Sequence, residues 1–144
     1  IIPLLRELSS IEGVVIGLLT GNFERGAEIK LSRFDLGGYF SFGVFGDDTA
    51  DRNEMPPIAR EKILRIYGRS VAFSDMVVIG DTVRDVECGK RSGTRTVAVG
   101  TGWAPREELL LRDPDYYFAD LGKTRDVLAA LTGLLDLEPA NRLT

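Results

Sequence analysis

Val77-Val78-Ile79-Gly80-Asp81-Thr82-Val83-Arg84-Asp85 decides how this 144-residue chain is read. An apolar, β-branched run enters a glycine and then an aspartate, and a second aspartate follows four residues later. A short run that is apolar on both faces has the character of a buried parallel strand. The residues from Arg84 to Ser92 continue as an amphipathic helix that stops at Gly93. With a helix starting near Thr82, Asp85 lies in its first turn, and both carboxylates can face the end of the strand.

The same alternation extends in both directions. The strands are predicted at Val14 to Leu19, Phe42 to Phe45, Met76 to Gly80 (the strand of the opening stretch), Thr96 to Val99 and Tyr116 to Phe118. Helices are predicted over residues 1 to 10, Glu24 to Phe34, Met55 to Tyr67, Arg106 to Leu111 and Thr124 to Leu134. The helix from Met55 places Ala59, Ile63, Ile66 and Tyr67 on one face, with Pro56 and Pro57 in its first turn and Gly68 at its end. The helix from Thr124 aligns Val127, Leu128, Leu131, Leu134 and Leu135. Strands alternating with helices predict an α/β fold, a Rossmann-like parallel sheet with helices on both faces. One unit is expected over residues 1–137, followed by a polar tail over 138–144.

Composition narrows the chemistry. Hydrophobic residues make up 44% and charged residues 28%, the net charge is −4, and there is no dense Lys/Arg run. A nucleic-acid partner is therefore not expected. No apolar run reaches the about 20 residues that a membrane helix needs, so no membrane partner is expected either. Cys88 is the single cysteine, which excludes an intrachain disulfide and fits a reducing, cytoplasmic setting. It reads as a small buried hydrophobe, and Trp103 as a residue packing over its loop. There is no histidine, so Ser-His and Cys-His catalysis and His-ligated metals are excluded. Any metal must sit on oxygen ligands, which favours hard cations.

In an open α/β sheet, ligands bind beyond the carboxyl ends of the strands, and three stretches there can carry chemistry. Asp81 and Asp85 form a carboxylate pair of the kind that suits Mg²⁺ with its waters and a substrate phosphate. Thr82-x-x-Asp85 is equally a capping box that would start the helix with no further role. Thr20, Gly21 and Asn22 follow the strand ending at Leu19, where a hydroxyl and free N–H groups at a helix start suit a phosphate. Thr20 or Asn22 could instead be a simple N-cap. Arg52, in the charged loop Gly46 to Glu54, could neutralise a phosphate or hold a carboxylate nucleophile. Lys62 is the fallback cation, and a solvated charged loop is the alternative.

These residues resemble the haloacid-dehalogenase-like hydrolases, in particular their phosphoglycolate-phosphatase-like branch, from about Ile1 to about Leu134. Thr20 in Leu18-Leu19-Thr20-Gly21-Asn22 resembles the second motif, which binds the transferring phosphoryl group. Arg52 resembles the third motif, a basic residue more often lysine, and Gly80-Asp81 through Asp85 resembles the fourth, the acidic pair that holds Mg²⁺. Thr94 to Val99 and Thr101-Gly102 are similar to the segment that follows. The resemblance implies a Mg²⁺-dependent phosphate-monoester hydrolase acting on a small phosphorylated metabolite through an aspartyl-phosphate. The family's Asp-x-Asp motif at the end of a first strand does not occur here, since Asp113-x-Asp115 precedes its strand. The nucleophile is thus expected upstream, with the core incomplete at its N-terminus and without a cap domain. The alternatives are a non-catalytic module that binds phosphate or a partner, a haloacid dehalogenase, which needs no Mg²⁺, and a receiver-like signalling domain, whose acidic pair would lie near its first strand.

Overall fold

In the computed structural model, which describes residues 1–137, helices and short strands alternate as the sequence predicts. The order is α1 (Ile2–Ser10), β1 (Gly17–Leu19), α2 (Glu24–Ser32), β2 (Phe42–Val44), α3 (Met55–Tyr67), β3 (Val77–Gly80), α4 (Val83–Ser92), β4 (Arg95–Val99), α5 (Arg106–Leu110), β5 (Tyr116–Phe118) and α6 (Thr124–Leu134). Three 3-10 turns, which the sequence does not announce, lie at Gly37–Tyr39, Arg52–Glu54 and Phe73–Asp75. The expected polar tail, 138–144, lies outside the described residues.

Every strand pair is parallel, and the fold is α/β and Rossmann-like. The hydrogen bonding divides the strands into two sheets, however, with orders β1-β2 and β3-β4-β5. Gly17 pairs with Phe42, Val77 with Arg95, and Val97 with Tyr116. The strand predicted from Val14 begins only at Gly17. Val14 instead donates its N–H to Ile11 O in the turn that follows α1.

Helices cover both faces because successive side chains of a strand point opposite ways. On β4, Val97 packs with Leu4 of α1 and with Val127 and Leu131 of α6. Its neighbour Ala98 points the other way, onto Val86 of α4 and Leu109 of α5. Val44 of β2 is buried against Met55 and Ala59 of α3. Each buried Val or Leu contributes about 1.5–3 kcal/mol by leaving water.

Three side chains expected to pack do not. Ile66 and Tyr67 are exposed, since the buried residues of α3 are Met55, Pro56, Ala59 and Ile63. Trp103 does not pack over its loop and is fully exposed, at 103%. Gly68 ends α3 as predicted, at φ 66°, a left-handed conformation that a side chain would strain.

Candidate functional site

The loops at the carboxyl ends of β1, β2 and β3 converge on one cavity of about 640 Å³. Thr20, Gly21, Arg52, Asp81 and Asp85 all border it. Four of the five are polar or charged, and they come from chain segments far apart in sequence.

Asp85 is the most fully bonded member. It is the third residue of α4 and 4% exposed. Thr82 accepts from Asp85 N, and the Asp85 carboxylate accepts from Thr82 N at 3.1 Å and Thr82 Oγ1 at 2.8 Å, so the capping box is complete. The other carboxylate oxygen accepts from Arg52. Both oxygens of Asp85 are therefore engaged within the protein. The capping role is thus observed, and the same side chain borders the cavity and holds Arg52.

Arg52 sits in the 3-10 turn that precedes α3, which Asp51 caps by accepting from Asn53 N. Besides Asp85, its guanidinium donates to Leu19 O at 3.4 Å. Its buried Nε–H has no acceptor among the described residues. A buried donor without a partner costs about 1–3 kcal/mol, so the position suits an anionic or carboxylate group brought into the cavity. Lys62, the fallback cation, is elsewhere: its Nζ donates to Gly43 O and to Asp48, each at 2.8 Å. That bond, with a second from Phe45 N–H, holds the Asp48 carboxyl below the usual carboxylate range.

Asp81 differs from Asp85 in one respect that matters chemically. It directly follows β3, borders the cavity and takes part in no hydrogen bond or ion pair among the described residues. Two glycines make room for the pair. A Cβ at Gly80 would overlap the Asp85 side chain, and one at Gly102 would stand 2.6 Å from the Asp81 carbonyl oxygen and 2.8 Å from its Cγ. The described residues contain no cluster of three Asp, Glu, Cys or His side chains that could hold a metal. A single uncommitted carboxylate beside open space still fits a hard cation that keeps several waters and takes its other ligands from substrate.

Thr20 follows β1 and extends its ladder, donating its N–H to Val44 O. Its hydroxyl accepts from Asn22 N at 3.1 Å and from Asn22 Nδ2 at 3.0 Å. Neither residue caps α2. The N-cap is Phe23, and the N–H of Glu24 is taken by Asp47 from the β2 side at 2.7 Å. The helix start expected to offer free N–H groups is thus partly occupied by Asp47. Sequence reasoning also passed over Arg84 and Phe23, both of which border the cavity. Arg84 stands between the two aspartates of the opening stretch, and that placement was its only signal. Behind the site, the Cys88 thiol donates to Asp85 O at 3.2 Å and is buried, as expected. Burial pushes its pKa up, against the opposing pull of the Arg52 guanidinium.

A family model described as HAD-hydrolase-like matches residues 55–124. The phosphoglycolate phosphatase of Aquifex aeolicus is 29% identical over 128 residues, covering 87% of this chain and 57% of the relative. That of Escherichia coli is 26% identical over 121 residues, covering 83% and 45%. A haloacid dehalogenase-like hydrolase of Streptococcus pneumoniae superposes with a TM-score of 0.70 at 22% identity, over 89% of this chain and 56% of its own. The chain therefore spans about half the length of the relatives it matches. No helix among the described residues is long and apolar enough to cross a membrane.

Proposed function

We propose that the chain is a haloacid-dehalogenase-like hydrolase of the phosphoglycolate-phosphatase-like branch and forms most of the core of a phosphate-monoester hydrolase. One observation carries the reading: Thr20, Arg52, Asp81 and Asp85, from segments far apart in sequence, meet at one cavity. The substrate class is a small phosphorylated metabolite.

The roles follow from the bonding of each residue. Thr20 donates its hydroxyl proton to a phosphoryl oxygen. Arg52, held by Asp85, borders the cavity with its guanidinium and stabilises charge that builds up during phosphoryl transfer. Asp81 would hold Mg²⁺ directly. Asp85, with both oxygens committed, assists by fixing Arg52 and the start of α4. Mg²⁺, when bound, supplies charge neutralisation at the phosphoryl group. The nucleophile is an aspartate, forming an aspartyl-phosphate, on a strand outside this chain. We place that strand along β1 and β3, each of which, among the described residues, is hydrogen-bonded to another strand on one edge only. Both run toward the cavity, so an aspartate at such a strand's end would reach it.

The test is phosphate release from an aryl phosphate and from 2-phosphoglycolate by the gene-encoded polypeptide, with and without Mg²⁺. Mg²⁺-dependent turnover that Asp81→Ala lowers by about 10³-fold or more supports the reading. Wild-type-like turnover from Asp81→Ala overturns it. The absence of an Asp-x-Asp at a strand end within this sequence favours one other reading, a phosphate-binding module. Phosphate binding without hydrolysis would point there.

A further inference from the structure

Lys30 and Asn22 have no part in the reading above, yet they are bonded in series to Thr20. Lys30 Nζ, on α2, donates to Asn22 Oδ1 at 3.1 Å, and Asn22 Nδ2 donates to Thr20 Oγ1 at 3.0 Å. A lysine ammonium can only donate, so the asparagine must turn its oxygen toward Lys30 and its amide N–H toward Thr20. Asn22 N–H fills the second acceptor position of the same hydroxyl at 3.1 Å. A hydroxyl offers two acceptor positions and one donor. With both acceptor positions filled, the Thr20 O–H has donation left to it, and no group among the described residues receives that proton.

We propose that Lys30 and Asn22 are positioning residues that commit the Thr20 hydroxyl to donate into the cavity, so that it accepts only ligands presenting an acceptor atom, such as a phosphoryl oxygen. The inference rests on the reading of Thr20 as a phosphate-gripping hydroxyl. It adds that the direction of the hydroxyl is set from α2, by a residue ten positions downstream. Lys30 acts through the asparagine amide and not through its charge alone. Replacing it with an acceptor, as in Lys30→Glu, allows the amide to turn over. Asn22 Oδ1 would then face Thr20 and take the proton that the ligand needs.

The experiment measures inorganic phosphate binding to the chain by ³¹P line broadening and calorimetry, for the wild type, Thr20→Ala, Lys30→Glu, Lys30→Arg, Asn22→Ala and the Lys30→Glu/Asn22→Ala pair. Lys30 and Asn22 are exposed, so melting curves should not move. Loss of an oriented hydrogen bond to an anion should weaken binding about tenfold in Asn22→Ala and in Lys30→Glu. Lys30→Arg, also a pure donor, should bind like the wild type. In the Asn22→Ala background, Lys30→Glu should have almost no further effect. Equal effects of Lys30→Glu with and without Asn22 would show action by charge alone and overturn the inference, as would unchanged binding in Asn22→Ala; either result leaves the phosphate reading standing. A wild type that binds no phosphate, or a Thr20→Ala that binds it equally well, would remove the phosphate-gripping role of Thr20 and the inference with it.

Discussion

Asp81 and Asp85 look interchangeable in the sequence but should behave oppositely when each is replaced by alanine. Asp85→Ala removes the acceptor for Thr82 N and Thr82 Oγ1 and leaves Arg52 without its ion-pair partner. Losing the capping interactions costs about 1 kcal/mol. The bond to a charged, largely buried arginine adds about 2 kcal/mol, taken near the lower end because the Arg52 side chain is 24% exposed. Arg52 already carries one unpartnered N–H, so little in its surroundings can absorb the loss. The total, about 3 kcal/mol, corresponds to a fall in Tm of roughly 10 °C for a domain of this size. Asp81→Ala breaks no hydrogen bond among the described residues and should stay within about 0.5 kcal/mol of wild type. Urea titration followed by far-UV circular dichroism measures both; fluorescence suits less well, because the single tryptophan is already exposed when folded. The reasoning would be refuted if Asp85→Ala lost less than about 1 kcal/mol, or if the two variants were equally destabilised.

Other tests follow from the surroundings of the site. Gly102→Ala places a Cβ 2.6 Å from the Asp81 carbonyl oxygen, and overpacking of this kind should cost about 1–3 kcal/mol by the same titration. Cys88 should resist a thiol-specific disulfide reagent until the chain unfolds, because it is buried and its thiol pKa is raised; prompt labelling of the folded protein would contradict its placement. A raised folded pKa means that its stabilisation is complete below the unfolded value of about 8.5 and is lost as pH rises through the folded value, so alkaline pH should lower the urea midpoint. Asp48 has the opposite sign: its folded pKa is depressed, so its contribution is present above the ordinary carboxylate value of about 3.9 and is lost as pH falls through the folded value. Lys62→Met should flatten that acid limb, as read from urea midpoints between pH 5 and pH 2.

The sequence by itself determined what nearest neighbours along the chain control. The capping box from Thr82 to Asp85 was legible because those two residues, three positions apart, bond to each other whatever surrounds them. Helix α3 was legible to its last residue because prolines suit its first turn and Gly68 accepts the left-handed stop. The absence of histidine narrowed the chemistry before any geometry was known. Tertiary structure decided everything that depends on which distant segments meet. Arg52 reaches Asp85 across 33 positions, and Asp47 reaches the start of α2 across 23. Among the described residues Asp81, and not its partner in the motif, is left without a bond, and a separate contact ties Lys62 to Asp48 and away from the cavity. The same cause governs the exposure of Ile66, Tyr67 and Trp103. Periodicity tells which residues share a helix face, but only the packing of α3 against β2 selects how much of that face is covered. Local bonding is written residue by residue, whereas contact between distant residues is a property of topology and register, which a single sequence states only through its folded form.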